Sequence, residues 1–488
     1  MLRNINQVTL SLSPYSGIYD LVVPPQHLLR KIKENIDFSF INPMLKKQYC
    51  EEFGRPAKEP EMMFKLMFLK KLYDLSDVRL ISQAQTDMAY KYFLDLDPES
   101  KMIDPSLMTK FRKTRITEDI LEELLRETIR QAIEKGIIKS GTILVDSTHT
   151  RANARLGRSN QVLRNLCKDL RREIYKSMFD LAEKFPEKPE ETADLEDEIS
   201  YAKALLEATG ADIKDSKIQK LRDIHSRIKE LLETERIRDI RSKADEDAKI
   251  GHKSGNKTFF GFKNHIAMTD ERIITGIEVT DGSEQDVNYL ISISEQSRNN
   301  GVEVKEIVGD MAYVSKGNLE YCQAIGVELI AKTNSAVAAS ANPREDSFKY
   351  NKDAKMMQCP AGELALSMRK QKAKNGNTYN IYSFSKRKCN NCPLKETCKV
   401  GKSKTNTYCM TIFSEENAAR LAFEESEEFR ERQKIRYKIE EKNGEMKTAH
   451  GLHRADSTGL TAMRLQMFFT AFTVNVKRIV KLMAPNPA

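Results

Sequence analysis

The sequence predicts an α/β protein: a mixed sheet covered by helices, preceded by a helical N-terminal domain and interrupted by a helical-hairpin insertion and a basic, Cys-containing insertion. Three observations predict it. Apolar residues recur at three- and four-residue spacing from about 25 to 135. β-Branched apolar runs begin at Gly141 and resume after residue 246. The later runs alternate with helical stretches, which joins strands of both senses in one layered core. The chain divides accordingly into 1–138 (helical), 139–157 with 246–334 (sheet), 158–245 (charged helical insertion), 335–425 (basic Cys-containing insertion) and 426–488 (helices completing the core).

The elements follow in order. In PEMMFKLMFLKKLYDL, residues 60–75, Pro60 suits a first helical position and Met63, Leu66, Met67 and Lys70 share one side. Ser76 is placed to cap the next helix, with Arg79 one turn on. Residues 104–116 open another helix carrying Lys110, Arg112, Lys113 and Arg115. Short helices ending in a basic one fit a helix-turn-helix-like DNA reader, and fit a bundle used for oligomerisation equally well. GTILVDSTHT then reads as a buried strand. From 158 to 245 the Leu163, Leu166, Leu170 and Leu221, Ile224, Ile228, Leu231 periods, with breaks at Phe185-Pro186 and Thr209-Gly210, predict a long helical hairpin. TFFGFKNHIAMTD, IITGIEVTDG, EVKEIVGDMAY and GVELIAKTN are four further strand-like runs, with helices DVNYLISISEQSRNN and GNLEYCQAIG after the second and third. The closing run LQMFFTAFTVNVKRIVKLM is amphipathic and suits core packing rather than a bilayer span.

At 488 residues the chain is long enough for three or four structural units, and its 40% apolar and 31% charged content excludes a disordered tail, a collagen and a membrane protein. The start MLRNINQVTLSLSPYS lacks the features of a signal peptide, so a cytoplasmic, nucleoid-associated location is expected. The net charge of +9 permits a polyanionic partner. It is unevenly distributed: residues 369–404 hold eleven Lys or Arg and one acid, residues 430–481 twelve against five, and residues 180–198 nine acids against two lysines. Local basic surface of this kind suits phosphate binding, and equally a merely soluble surface.

Two aspartates close strand-like runs, Asp146 in ILVDSTH and Asp310 in EIVGDMAY. A strand-end Asp is more often a turn former than a catalyst. In RYKIEEKNGEMK the spacing of Arg436, Glu440 and Lys447 puts all three on one face of a helix. Gly444 inside it costs about 1 kcal/mol relative to Ala, which suggests close approach by another group, or a helix break at Asn443-Gly444. Glu441 and Glu445 are rival acids. Three carboxylates from separate elements can together hold two divalent cations about 3.5–4 Å apart for in-line phosphoryl displacement.

With these motifs in hand, the chain resembles a bacterial insertion-sequence transposase of the DDE class. ILVDSTHTRANA is similar to the family's first-acid strand, FFGFKNHIAMTD to its F-G-Y-K-x-H strand, IVGDMAYVSKGN to its D-x-x-Y motif, and IEEKNGEMK to its I-E-x-x-x-G-x-[LM]-K block. GRPAKEPEMMFKLMFLKKLYDLSDVRL is similar to the associated N-terminal domain. The resemblance implies an RNase H-like catalytic core with the R-x3-E-x6-K signature. It makes Asp146, Asp310 and Glu440 the catalytic, Mg²⁺- or Mn²⁺-binding triad, with Arg436, Lys447, Tyr313 and, on the N-terminal domain, Arg112 as DNA contacts. Inverted-repeat and target DNA, and a homo-oligomeric synaptic assembly, are the implied partners. Gln433 departs from the family, which has Tyr three positions before the Arg.

Cys389 and Cys392 form a C-x2-C pair, Cys398 follows, and Cys359 lies upstream in MQCPAGEL; four thiolates suit tetrahedral Zn²⁺, with Cys409 a rival fourth ligand. Cys50, Cys167 and Cys322 fall on apolar helical positions and are expected in the core. His265 belongs to the second-strand motif, while His149, His450 and His453 lie near the acids in sequence.

Overall fold

A computed structural model gives the structure of the chain over residues 13–50, 57–254, 257–333, 348–351, 356–372, 378–398, 400–401, 403, 405–411, 420 and 422–484. Among the described residues eight helices come first: α1 (Ile18–Val22), α2 (Leu28–Asn35), α3 (Ile41–Lys46), α4 (Pro60–Leu72), α5 (Asp77–Ala84), α6 (Met88–Phe93), α7 (Ser106–Arg115) and α8 (Glu118–Glu134). Pro60 occupies the first turn of α4, where its missing N–H forfeits no helical hydrogen bond. Ser76 caps α5 by accepting the Arg79 N–H at 3.3 Å. Cys50 is exposed, against expectation, because α3 ends at Lys46 and leaves it beyond the helix; Cys167 and Cys322 are buried as expected.

Strand β1 (Thr142–Arg151) precedes α9 (Ser159–Ser177), α10 (Leu195–Lys214) and α11 (Gln219–Glu233). Then come β2 (Lys249–Ser254), β3 (Lys257–Thr269), β4 (Ile274–Asp281), α12 (Leu290–Asn299), β5 (Glu306–Val308), α13 (Lys316–Ala324) and β6 (Glu328–Ile330). The Cys-containing insertion contributes β7 (Lys349–Asn351), β8 (Met356–Gln358), β9 (Ser367–Lys372), β10 (Thr378–Ser383), α14 (Lys386–Asn390) and β11 (Thr407–Thr411). Helices α15 (Glu427–Lys434), α16 (Tyr437–Ala449) and α17 (Leu460–Met483) close the chain. No helix among the described residues is long and apolar enough to cross a membrane.

These elements form two compact units, and β1 contributes to both. The first comprises Met1–Gly141, Asp146–Glu303 and Lys438–Ala488. Its strands β2, β3 and β4 are antiparallel, with Phe262 opposite Asp281 and Ile266 opposite Ile277. The N-terminal helices do not close a core by themselves. Phe38, Phe64 and Phe68 pack around Phe472 of α17 at centroid separations of 5.1–6.1 Å, and Lys71 of α4 pairs with Asp456 at 2.6 Å. Where the sequence suggests a boundary at 138, the packing ties the first helices to the last.

The charged insertion is three helices rather than the expected hairpin, gathered on a core that includes Leu163, Leu166, Leu205, Leu221 and Ile228. Thr209-Gly210 does not break α10. The Thr209 hydroxyl donates to the Leu205 carbonyl at 2.7 Å, and Gly210 lets α11 close in, since a Cβ there would stand 3.3 Å from His225 Nε2.

The second unit comprises Thr142–Val145 and Val304–Tyr437. Here β1 pairs in parallel with β5, Thr142 opposite Glu306, and β5 in parallel with β6. The crossover helix α13 joins β5 to β6, as parallel neighbours require. Parallel pairing here and antiparallel pairing in the first unit together bear out the mixed α/β class. The sequence gives no hint that the Cys-containing insertion would carry an antiparallel β9-β10-β11 sheet, because its lysine-rich strands do not alternate cleanly. Parts of that insertion, residues 334–347 and 412–419, lie outside the described residues.

Candidate functional site

In the first unit the strand bearing Asp146 meets the helix bearing Glu440. Helix α16 buries Ile439, Asn443 and Met446 on its inner side, at spacings of four and three residues. That anchoring brings Asn443 against β1, where its side-chain NH₂ donates to Asp146 Oδ2 at 2.9 Å. The Asn443 amide oxygen is buried and has no hydrogen-bond partner among the described residues. Glu440, exposed, stands one turn before Asn443, and Lys447 one turn after it. The Lys447 ammonium lies 3.4 Å from His149 Nδ1. Burial, first, and the neighbouring Lys253 bring the Lys447 ammonium down to about 8, against the pull of Asp146. Burial together with Lys447, Lys253 and Arg151 brings the His149 imidazole down to about 4, so it is neutral at pH 7. Asp146, Asn443, Lys447, His149 and Lys253 therefore form one electrostatic neighbourhood. Asn443 and Lys253 escape the sequence reading. For Asn443 the available signal is its place three residues after Glu440 and four before Lys447.

The rival acids on α16 both hold cations. Glu441 pairs with Arg272 at 2.8 Å. Glu445 pairs with Lys442 at 2.9 Å and Lys477 at 2.8 Å. Burial pushes the Glu445 carboxyl up, but His450, Lys442 and Lys477 around it hold it well below the usual carboxylate range. Gly444 marks neither a break nor a close approach: α16 runs through it, and nothing stands within 4 Å of a Cβ built there. Arg436 falls in the turn between α15 and α16, so the expected single helical face carries Glu440 and Lys447 but not Arg436.

In the second unit Asp310 follows β5 by two residues and caps a short 3₁₀ turn, accepting the Ala312 N–H at 2.6 Å. Tyr313, expected to touch DNA, is wholly buried, and its carbonyl accepts from Asn318 Nδ2 at 2.8 Å. Its ring packs beside Gly309, where a Cβ would stand 3.4 Å from Tyr313 Cδ2. As placed, Tyr313 supports the turn that carries Asp310 and offers no face to a nucleic acid.

Other candidates divide similarly. Arg112 is held by both oxygens of Asp77, and Arg115 covers the Tyr49 ring at 4.4 Å, which leaves Lys110 and Lys113 as the exposed cations of α7. His265 is a core residue stacked on Tyr289 at 4.4 Å, and His450 is buried, its Nδ1 2.8 Å from the Lys71 carbonyl oxygen. The backbone carbonyl of His453 accepts from the Arg151 N–H at 3.1 Å. Cys359, Cys389, Cys392 and Cys398 line one cavity of about 30 Å³, whereas Cys409 is exposed and does not line it. Burial, then the Cys359 and Cys398 thiols, push the Cys389 thiol up. Among the described residues, no three His, Cys, Asp or Glu side chains are drawn together as a formed metal-binding group.

No curated protein and no solved structure matches the chain. Two protein families do. Residues 18–114 match a transposase domain (DUF772), and residues 358–480, which include the four clustered cysteines, Glu440 and Lys447, match a transposase DDE domain. Lying at opposite ends of one chain and in this order, the two matches support its recognition as an insertion-sequence transposase of the DDE class.

Proposed function

We propose that the chain binds the terminal inverted repeats of its element and catalyses strand cleavage and 3′-OH strand transfer, on an RNase H-like core, with Asp146, Asp310 and Glu440 as the triad. The observation that carries this reading is the Asn443–Asp146 hydrogen bond, which fixes the helix of Glu440 and Lys447 against the strand of the first acid. The place of Glu440, exposed one turn before Asn443 and seven residues before Lys447, favours it as the third acid. The donor chemistry suits Mg²⁺ or Mn²⁺: carboxylates, with the unsatisfied oxygen of the Asn443 amide that holds Asp146, are hard ligands, and such ions prefer a few carboxylates completed by water and phosphate oxygens. When bound, the ions would stabilise the charge on attacking and leaving oxygens.

The residues then act by holding and neutralising. Asp146, Asp310 and Glu440 supply the anionic ligands. Asn443 orients Asp146. Lys447, beside His149 and cationic at neutral pH, and Arg436 grip the backbone next to the scissile phosphate. Cleavage breaks one P–O bond by attack of water and frees a 3′-OH; transfer breaks one target P–O bond and forms another. No covalent protein intermediate is needed. Lys110 and Lys113 present α7 to the repeat DNA, with Arg112 ordered by Asp77. Two ends must be joined, which calls for at least a dimer.

A strand-transfer assay on element-end DNA tests the triad. Asp146→Asn, Asp310→Asn and Glu440→Gln should each lower joining by roughly 10⁴-fold, the scale on which removing one member of a catalytic unit acts. Undiminished joining would remove the assignment. Cleavage without joined products would identify a metal-dependent nuclease, and repeat binding with neither reaction an inactive DNA-binding derivative.

A further inference from the structure

The cysteine cluster is absorbed by none of this chemistry. It sits in the small β7–β11 module, whose core consists of Met357, Ala365, Tyr382, Phe384, Val400 and Tyr408, with Cys359, Cys389 and Cys398 packed against it. Among the described residues this core has six buried side chains, which is thin, and small modules of this kind are usually held by a metal or by disulfides. All four thiols are free. They come from three hydrogen-bonded turns, Cys389 and Cys392 sharing one. The Gly362 N–H donates to the Cys359 carbonyl at 2.8 Å, and Gly362 takes φ +85°, which a glycine adopts without strain. The Cys392 N–H donates to the Cys389 carbonyl at 3.4 Å, and the Cys398 N–H to Leu394 at 2.8 Å. Residues of these turns line one cavity of about 30 Å³, room for about two or three water-sized spheres and so for a single ion.

We propose that Cys359, Cys389, Cys392 and Cys398 form a four-thiolate zinc site that holds the β7–β11 module together. Two of the ligands come from a C-x2-C turn and a third from a C-P-A-G turn, a donor set that is soft and four in number, as in structural rather than catalytic zinc sites. The four thiols line the cavity without being drawn together as a formed metal-binding group, so ligation requires them to close on the ion. Cys409, on the exposed side of β11, is excluded. The site stands independently of the transposition chemistry.

Elemental analysis of the full chain, purified under reducing conditions, should find about one zinc per chain. Replacement by Co²⁺ should give thiolate-to-cobalt charge-transfer absorption, and four thiols should resist modification until a chelator is added. Cys409→Ser should keep the metal, and Cys389→Ser with Cys392→Ser should lose it. Because the double variant could also unfold, the cobalt spectrum and thiol protection of the unaltered chain carry the test by themselves. Metal-free protein with all exposed thiols reacting at one rate, a disulfide among the four, or zinc retained in the double variant would each overturn the proposal.

Discussion

The two lysine- and arginine-rich stretches look alike as sequence and differ as structure. In residues 430–481 several of the cations are tied to acids. Arg432 is held by Glu306 at 2.7 Å, Lys438 by Asp270 at 2.6 Å, Lys442 and Lys477 by Glu445, and Arg464 by Glu118 at 2.8 Å. In residues 369–404 Lys388 meets Glu363 at 2.6 Å, while Arg369, Lys370, Lys386 and Arg387 stand exposed. Charge along a chain is thus not charge on a surface. The first stretch uses those cations to fasten helices, and the second turns Arg369, Lys370, Lys386 and Arg387 towards solvent, where a polyanion can displace counterions.

The largest effect belongs to the fastened stretch. Glu445→Gln leaves Lys442, whose side chain is 2% exposed, without its counter-charge, and should cost about 3–5 kcal/mol in denaturant unfolding. The pH dependence has a definite sign. A carboxyl held below its unfolded value of about 4.3 stabilises the fold above that pH and loses the contribution as pH falls towards the folded value. The unaltered chain should therefore lose stability in acid more steeply than Glu445→Gln. Equal acid profiles would break the contrast between the stretches.

A smaller effect is expected on the exposed stretch. Arg369→Ala with Lys370→Ala should leave unfolding unchanged and reduce the salt dependence of DNA binding, by up to about 0.9 in slope for each phosphate that is no longer neutralised. Lys438→Ala, which removes a fastened cation, should not change that slope. A slope that responds to Lys438 and ignores Arg369 and Lys370 would reverse the comparison.

The smallest effect concerns Lys447, which belongs to neither extreme. Its ammonium titrates near 8, so DNA affinity should weaken as pH rises past about 8, and Lys447→Arg should flatten that dependence. The effect on folding has the opposite sense. With the folded value below the unfolded one of about 10.4, the unfolded chain binds more protons in between, and this residue's contribution to stability grows with pH across that window. A pH-independent affinity would place Lys447 away from DNA.

Local grammar was legible wherever neighbours in sequence decide the structure. Pro60, the Ser76 cap, the basic helix from residue 104 and the strand ending in ILVD all follow from spacing and chemistry within one turn or one pleat. What stayed hidden depends on distant partners. Thr209-Gly210 reads as a break because the approach of His225 is invisible from its own segment. Arg112 reads as a DNA contact because Asp77 lies thirty-five residues away, and Lys71 finds Asp456 across 385 residues. Tyr313 illustrates a further limit: an aromatic in a motif can serve the turn beneath the acid as readily as a ligand above it. Within the candidate site Asp146, Glu440 and Lys447 follow from the sequence pattern. Asn443, which connects the helix to the strand, became visible only through packing.

The dependence of the N-terminal helices on α17 has a consequence for synthesis. At roughly 5–20 residues per second, the partner of Phe38, Phe64 and Phe68 emerges on the order of tens of seconds after they do, so that aromatic surface must wait uncovered on the ribosome. A copy of the gene truncated by an early stop would release a chain with that surface permanently open, a substrate for chaperones and proteases rather than a free competitor for the element's ends.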